Sequence, residues 1–135
     1  MIYPMFAMIL LTFGVAFYMF RLRVHAVKAG ELKLSYFRFN SGAEAPAKVT
    51  QAARNYSNLF EIPMLFYAAG TIAIALHLES MTMIIFSWIF VAARVVHSWI
   101  HITSNDVIHR MKAFMAGNVC ILLIWGQLVW GYSIR

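Results

Sequence analysis

The sequence predicts an all-α integral membrane protein, a bundle of four transmembrane helices forming one domain over residues 1–135. Three observations carry this. The chain is 62% hydrophobic and 12% charged, where soluble domains run about 25% charged, and its mean hydropathy is +0.72. The apolar residues collect into four runs, each long enough to cross a hydrocarbon core of about 30 Å at about 1.5 Å per residue. The basic residues cluster between the runs, so the net charge of +6 reads as membrane topology and not as a nucleic-acid surface.

The first span covers about residues 2–20 and ends at Arg21-Leu22-Arg23. A signal peptide would carry its positive charge first and a cleavage site last, so this segment is expected to stay as a helix. Residues 21–53 are the long polar segment, interrupted by Gly30, Gly42 and Pro46. Within it Leu32–Phe39 alternates basic or polar residues with apolar and aromatic ones, a pattern expected to lie in the interface with its rings among lipid headgroups. The second span, about 56–77, follows Arg54 and contains Pro63 about two turns in, which a membrane helix tolerates when neighbours satisfy the freed carbonyl. A short turn, His77–Ser80, makes the second and third spans antiparallel neighbours. The third span is about 81–101, and the polar loop 103–112 leads to the fourth, about 112–132, where Trp130 and Tyr132 suit an aromatic belt. The single Cys120 lies in an apolar run and implies no disulfide. Asn118 and Gln127 read as interhelical hydrogen-bond partners, and the nine methionines as packing.

Loops 1 and 3 hold ten of the eleven Lys and Arg when Arg54 and Arg94 are counted with them, Arg135 being the exception. Those loops are therefore expected on the cytoplasmic side, with both termini opposite. The expected compartment is an inner membrane of bacterial type.

This orientation stacks polar groups at one depth. Arg54, Asn58 and Glu61 fall at i, i+4 and i+7 and would share one face of a helix. Arg94, His97 and His101 repeat the pattern in the third span, and Arg21 and Arg110 sit at the same level. Charged groups inside a bilayer face the bundle interior and pair. One reading is a closed network in which Glu61 neutralises Arg54 or Arg94 and Asn58 bridges them. The other is an anion site, because Arg21, Arg54, Arg94 and Arg110 outnumber Glu61 and Asp106, and guanidinium forks suit carboxylates. His97 and His101 with Glu61 are a weak metal motif, without the HExxH or further histidines that would strengthen it. His77 lies on the opposite side from His97, against a haem held between them. No metal is assigned.

Arg21-Leu22-Arg23, Arg54-x3-Asn58-x2-Glu61-x-Pro63, Ala93-Arg94-Val95-Val96-His97 and the short second turn together resemble the MAPEG family, the membrane-associated proteins in eicosanoid and glutathione metabolism. The resemblance covers nearly the whole chain. It implies a homotrimer that holds glutathione between subunits near the cytoplasmic side. It places Arg21, Arg54, Asn58, Glu61 and His97 at glutathione-pocket positions and Arg110 near the sulfur, as the catalytic candidate. Arg94 and His101 join the binding set from the polar layer.

The implied chemistry is thiolate stabilisation, with attack on a lipophilic electrophile or peroxide arriving from the bilayer. Where the family's eicosanoid branch has a serine, a tyrosine and an aromatic hydroxyl, this chain has Met111, Phe114 and His101. Two functions follow: a glutathione-dependent transferase or peroxidase, or a non-catalytic membrane scaffold that binds lipid or a larger membrane partner.

Overall fold

The computed structural model describes residues 1–39 and 45–134; Gly42 and Arg135 lie outside the described residues. Its elements are α1 (Ile2–Lys28), the single turn α2 (Tyr36–Phe39), α3 (Ala47–Asn58), α4 (Ile62–Ala75), α5 (Met81–Ile102) and α6 (Val107–Ser133). Among the described residues four stretches are long and apolar enough to cross a membrane, with α3 and α4 together making the second.

Each long helix buries one stripe and leaves apolar residues on its outer side. On α4 the stripe is Phe66, Ala69, Gly70 and Ala73, and on α6 it is Gly117, Cys120, Ile121, Ile124 and Leu128, both with helical spacing. Phe66 stacks on Phe90 of α5 with ring centroids 4.7 Å apart. Phe6, Phe13, Phe17 and Phe20 of α1 point outward instead, as side chains do where the surroundings are hydrocarbon. α5 and α6 form the most extensive pairing, and α1 leans chiefly on α3. Gln127 fastens the far end of the pair: its Oε1 accepts from Ser80 Oγ at 3.1 Å and Thr82 Oγ1 at 2.8 Å.

The stripe on α5 changes chemistry along its length. It begins Met83, Ser87, Phe90, Val91 and ends Arg94, His97, Ser98, His101, all buried. The apolar half packs the core. The polar half faces α3 and the start of α6, so one helix carries the fold at one end and a candidate site at the other.

The second span departs from expectation. It is not one helix through Pro63 but two, broken at residues 59–61. Pro63 has no N–H to give the Leu59 carbonyl, and its ring crowds that turn. α3 therefore tightens as it ends, with Leu59 N donating to Tyr56 O at 3.1 Å and Phe60 N to Ser57 O at 2.9 Å. Pro63 then sits in the first turn of α4, where a missing N–H costs nothing. Glu61 caps α4 with φ −90° and ψ −96°, so Arg54, Asn58 and Glu61 do not share a continuous helical face.

The described part of the polar segment is also more helical than its composition suggests. α1 runs two turns past residue 20, and α3 begins at Ala47. Gly30, at φ +74°, turns the chain so that Leu32 N bonds to Ala26 O at 3.2 Å. Leu32 is then buried against Ala26 and Val49, with Tyr36 and Phe37 packed alongside. These side chains fold back onto α1 and α3, and Leu34 alone of the apolar residues from 32 to 37 stays exposed.

Candidate functional site

The polar half of α5, the broken second span and the start of α6 enclose a cleft of about 1260 Å³. Three arginines from three helices line it: Arg23 of α1, Arg54 of α3 and Arg110 of α6. Asn58 and Glu61 come from the end of α3 and the break, His101 from α5, and Asn105 from the loop before α6. Met19, Val49 and Ala53 add apolar wall, and Tyr36 and Tyr56 bring phenols.

The break positions this set. Ending α3 at Asn58 leaves its carbonyl without a helical partner. Arg94 supplies one: its Nη2 donates to Asn58 O at 2.7 Å. The Arg94 side chain is 1% exposed and its guanidinium lies 5.8 Å from the centroid of the Phe114 ring. Arg94 therefore faces the core and caps α3; it is not part of the cleft wall, and its task is to hold the turn that carries Glu61.

Arg21 is also off the site. Two residues are about 200° apart on a helix, so Arg21 and Arg23 point to opposite sides of α1. Arg21 is exposed and away from the cleft, whereas Arg23 lines it, with its guanidinium 5.4 Å from the Phe37 centroid. The sequence pointed to this pair but not to which member faces inward.

His97 is buried one turn behind His101, with ring centroids 5.7 Å apart and nearly perpendicular, and its other neighbour is Phe114 at 5.9 Å. It backs the site without lining it. His101 lines the cleft, with Nε2 3.4 Å from Arg110 Nη1. Arg110 Nη1 also donates to Asn105 Oδ1 at 2.6 Å. Asn105 and Tyr56 were not singled out by sequence reasoning. Asn105 sits in a loop that reads as plain polar connection, and Tyr56 lies inside the motif but between its spaced members.

Among the described residues no carboxylate lies within ion-pair distance of Arg23, Arg54, Arg94 or Arg110; Glu79 pairs with the Met1 amino group and Asp106 with His109, and no ion pair reaches Glu61. The closed network in which Glu61 pairs with Arg54 or Arg94 is therefore not formed. The lining holds three guanidinium groups and one carboxylate, an excess of positive charge facing a shared space. Among the described residues, no three His, Cys, Asp or Glu side chains gather as metal ligands would.

A second, apolar groove of about 490 Å³ lies against α1 and the break, lined by Ile9, Phe13, Ala16, Leu59, Phe60, Met64 and others. Tyr56 borders both spaces. Its ring packs edge-on against Phe60 at 5.0 Å, making it the partition between a charged cleft and a greasy one.

Compared with known proteins, the chain matches the model of the MAPEG family over residues 1–130. No curated protein and no solved structure matches it significantly.

Proposed function

The chain belongs to the MAPEG family as an integral, multi-pass membrane protein, and from that premise we propose that it binds glutathione in the arginine-lined cleft and activates its thiol toward lipophilic electrophiles or peroxides. The observation that carries this reading is the unpaired charge: Arg23, Arg54 and Arg110 opposite a lone Glu61 in one space. Glutathione has two carboxylates, one ammonium and one ionisable thiol. Two guanidinium forks suit the carboxylates, Glu61 suits the ammonium, and the third cation is left for the sulfur. A thiolate next to a fixed cation forms at lower pH than a free thiol does.

In this reading Arg110 is the cation at the sulfur, and Arg54, Asn58, Glu61 and Arg23 bind the peptide. The hydroxyls missing at Met111 and Phe114 have a counterpart in Tyr56, whose phenol stands between the cleft and the apolar groove. A lipophilic substrate would reach the sulfur past Tyr56 from the groove. The volume exceeds what small-molecule sites usually need, about 300–1,000 Å³, which leaves room for a neighbouring subunit to close the cleft in a homotrimer. The test is calorimetric titration of the detergent-solubilised protein with glutathione, followed by turnover of a generic electrophile. We expect saturable binding, and Arg110→Ala to lower turnover by about 10²–10³-fold, as loss of one charge-stabilising donor does elsewhere. Absence of binding at millimolar glutathione would refute the proposal.

One observation favours a different use of the same scaffold. Phe114 packs over both Arg94 and His97, sealing with an apolar ring a place where the resemblance expects a hydroxyl. A non-catalytic module that binds lipid or a larger membrane protein would show retained anionic lipid or a co-purifying partner, and no thiol transfer.

A further inference from the structure

Arg110 is held, and the way it is held is informative. Its Nη1 meets two side chains, Asn105 Oδ1 at 2.6 Å and His101 Nε2 at 3.4 Å. A guanidinium only donates, so both partners face it as acceptors, and neither is a carboxylate. The nearest acidic residue in sequence, Asp106, is turned to other work. Its Oδ1 accepts from His109 N at 2.8 Å and lies 3.0 Å from His109 Nδ1.

Asn105 earns its position twice. Its φ is 52°, in the left-handed region, and its N–H donates to Ile100 O at 2.8 Å, closing the end of α5. Glycine is the cheapest residue for that backbone, and asparagine or aspartate come next because their short polar side chains bond locally. Here a side chain stands where glycine would serve the turn, and it reaches Arg110. His101, 2% exposed, backs the same nitrogen from α5.

We infer that Asn105, with His101 behind it, is a positioning residue that fixes the Arg110 guanidinium in the cleft through uncharged acceptors, so that its positive charge is presented whole to an anionic group at the sulfur position of the ligand. This rests on the glutathione reading of the cleft. An aspartate would hold the same nitrogen with the same turn but cancel the charge.

The experiment compares wild type, Asn105→Gly and Asn105→Asp with two probes, glutathione sulfonate, a permanent anion at the sulfur, and S-methylglutathione, neutral there. Both variants suit the left-handed backbone, and a carboxylate beside the first turn of α6 is favoured by the helix dipole, so the fold is kept. Cancelling one unit charge several ångströms from another, at an effective dielectric near 20, is worth about tenfold or more. We expect Asn105→Asp to weaken sulfonate binding by at least about that factor and S-methylglutathione binding by much less. Asn105→Gly, which loosens Arg110 but leaves its charge, should weaken sulfonate binding less than Asn105→Asp does. Equal effects of Asn105→Asp on the two probes, or of the two variants on the sulfonate, would reduce Asn105 to a turn residue and overturn the inference. If wild type binds both probes but neither variant changes either affinity, the inference falls and the cleft reading stands. If wild type binds neither, both fall.

Discussion

Replacing Arg94 by methionine should loosen the break between α3 and α4 while leaving the rest of the bundle in place. Methionine fills much of the same buried space, so the perturbation is mainly loss of the guanidinium. Two effects oppose each other. Removing a buried charge recovers its desolvation cost, and replacing buried ions by apolar residues is often neutral or stabilising overall. Against that, the Asn58 carbonyl loses its 2.7 Å partner, and a hydrogen bond to a charged group contributes about 1.5–3 kcal/mol. Global stability is therefore a poor readout, because the two terms are of similar size. The local opening of residues 58–62 is a good one, since only the lost bond acts there. At about 1.4 kcal/mol per decade, the bond is worth a factor of about 10 to 150 in that opening equilibrium. Hydrogen exchange in detergent micelles should show the amides of Leu59, Phe60 and Glu61 exchanging at least tenfold faster in Arg94→Met, with those around Ile121 and Ile124 unchanged. Glutathione affinity should fall alongside, through displacement of Glu61. Unchanged exchange at the break, or acceleration spread evenly over α6, would show that Arg94 does not hold this turn.

Further expectations follow from single positions. Gly126→Ala should stabilise the protein by about 0.5–1 kcal/mol, the usual helical gain over glycine, because nothing lies within 4 Å of the added Cβ. Gly70→Ala should lose that gain, because its Cβ would run into Met5 Sδ. Equilibrium unfolding in mixed micelles separates them, and equal effects would contradict the packing of α1 on α4. Asp106 caps α6, and the His109 backbone N–H, then its ring, hold the carboxyl below its ordinary value of 3.8. The folded pKa being the lower one, this cap stabilises above the unfolded value and is lost as pH falls through the folded one. Asp106→Asn should accordingly flatten the acid limb of stability below about pH 4, by a small and salt-sensitive amount; an unchanged acid limb would count against the cap. Cysteines introduced at Lys28 and at His77 should label from opposite faces of the membrane, and labelling of both by an impermeant reagent from one side would contradict the four-span topology.

What the sequence made legible was set by periodicity and charge. Four apolar runs, each with a helical stripe, specify four spans whatever their neighbours, and α5 is the plainest of the helices because Ser80 caps its start and it contains no proline. The clustering of cations likewise foretold a polar end on the bundle. Three things were hidden, each for a physical reason. Pro63 permits either a kinked helix or a full break, and the choice depends on whether something else satisfies the freed carbonyls; Arg94, 36 residues away, does so for Asn58. Arg21 and Arg23 are indistinguishable in composition and differ only in the rotation of α1 against α3. Asn105 takes its meaning from a left-handed turn whose side chain meets a helix five residues on.

These three misses share a cause, and it bears on how the cleft works. In each, a hydrogen bond to a residue of another element or a helix rotation decides which polar group faces the cleft and which serves the backbone. The arginines thus divide into one that holds the frame, Arg94, and three that line the space it defines without a carboxylate partner, Arg23, Arg54 and Arg110. Were Arg94 in the cleft, the positive excess would be larger but the turn bearing Glu61 would have no anchor. With Arg94 behind the wall, the turn bearing Glu61 is anchored and the cleft keeps one carboxylate among three guanidinium groups, the complement that the proposed zwitterionic tripeptide would need. Exchanging the roles provides a direct check: Arg54→Gln should weaken glutathione binding with exchange at residues 59–61 unaltered, whereas Arg94→Met should change both together.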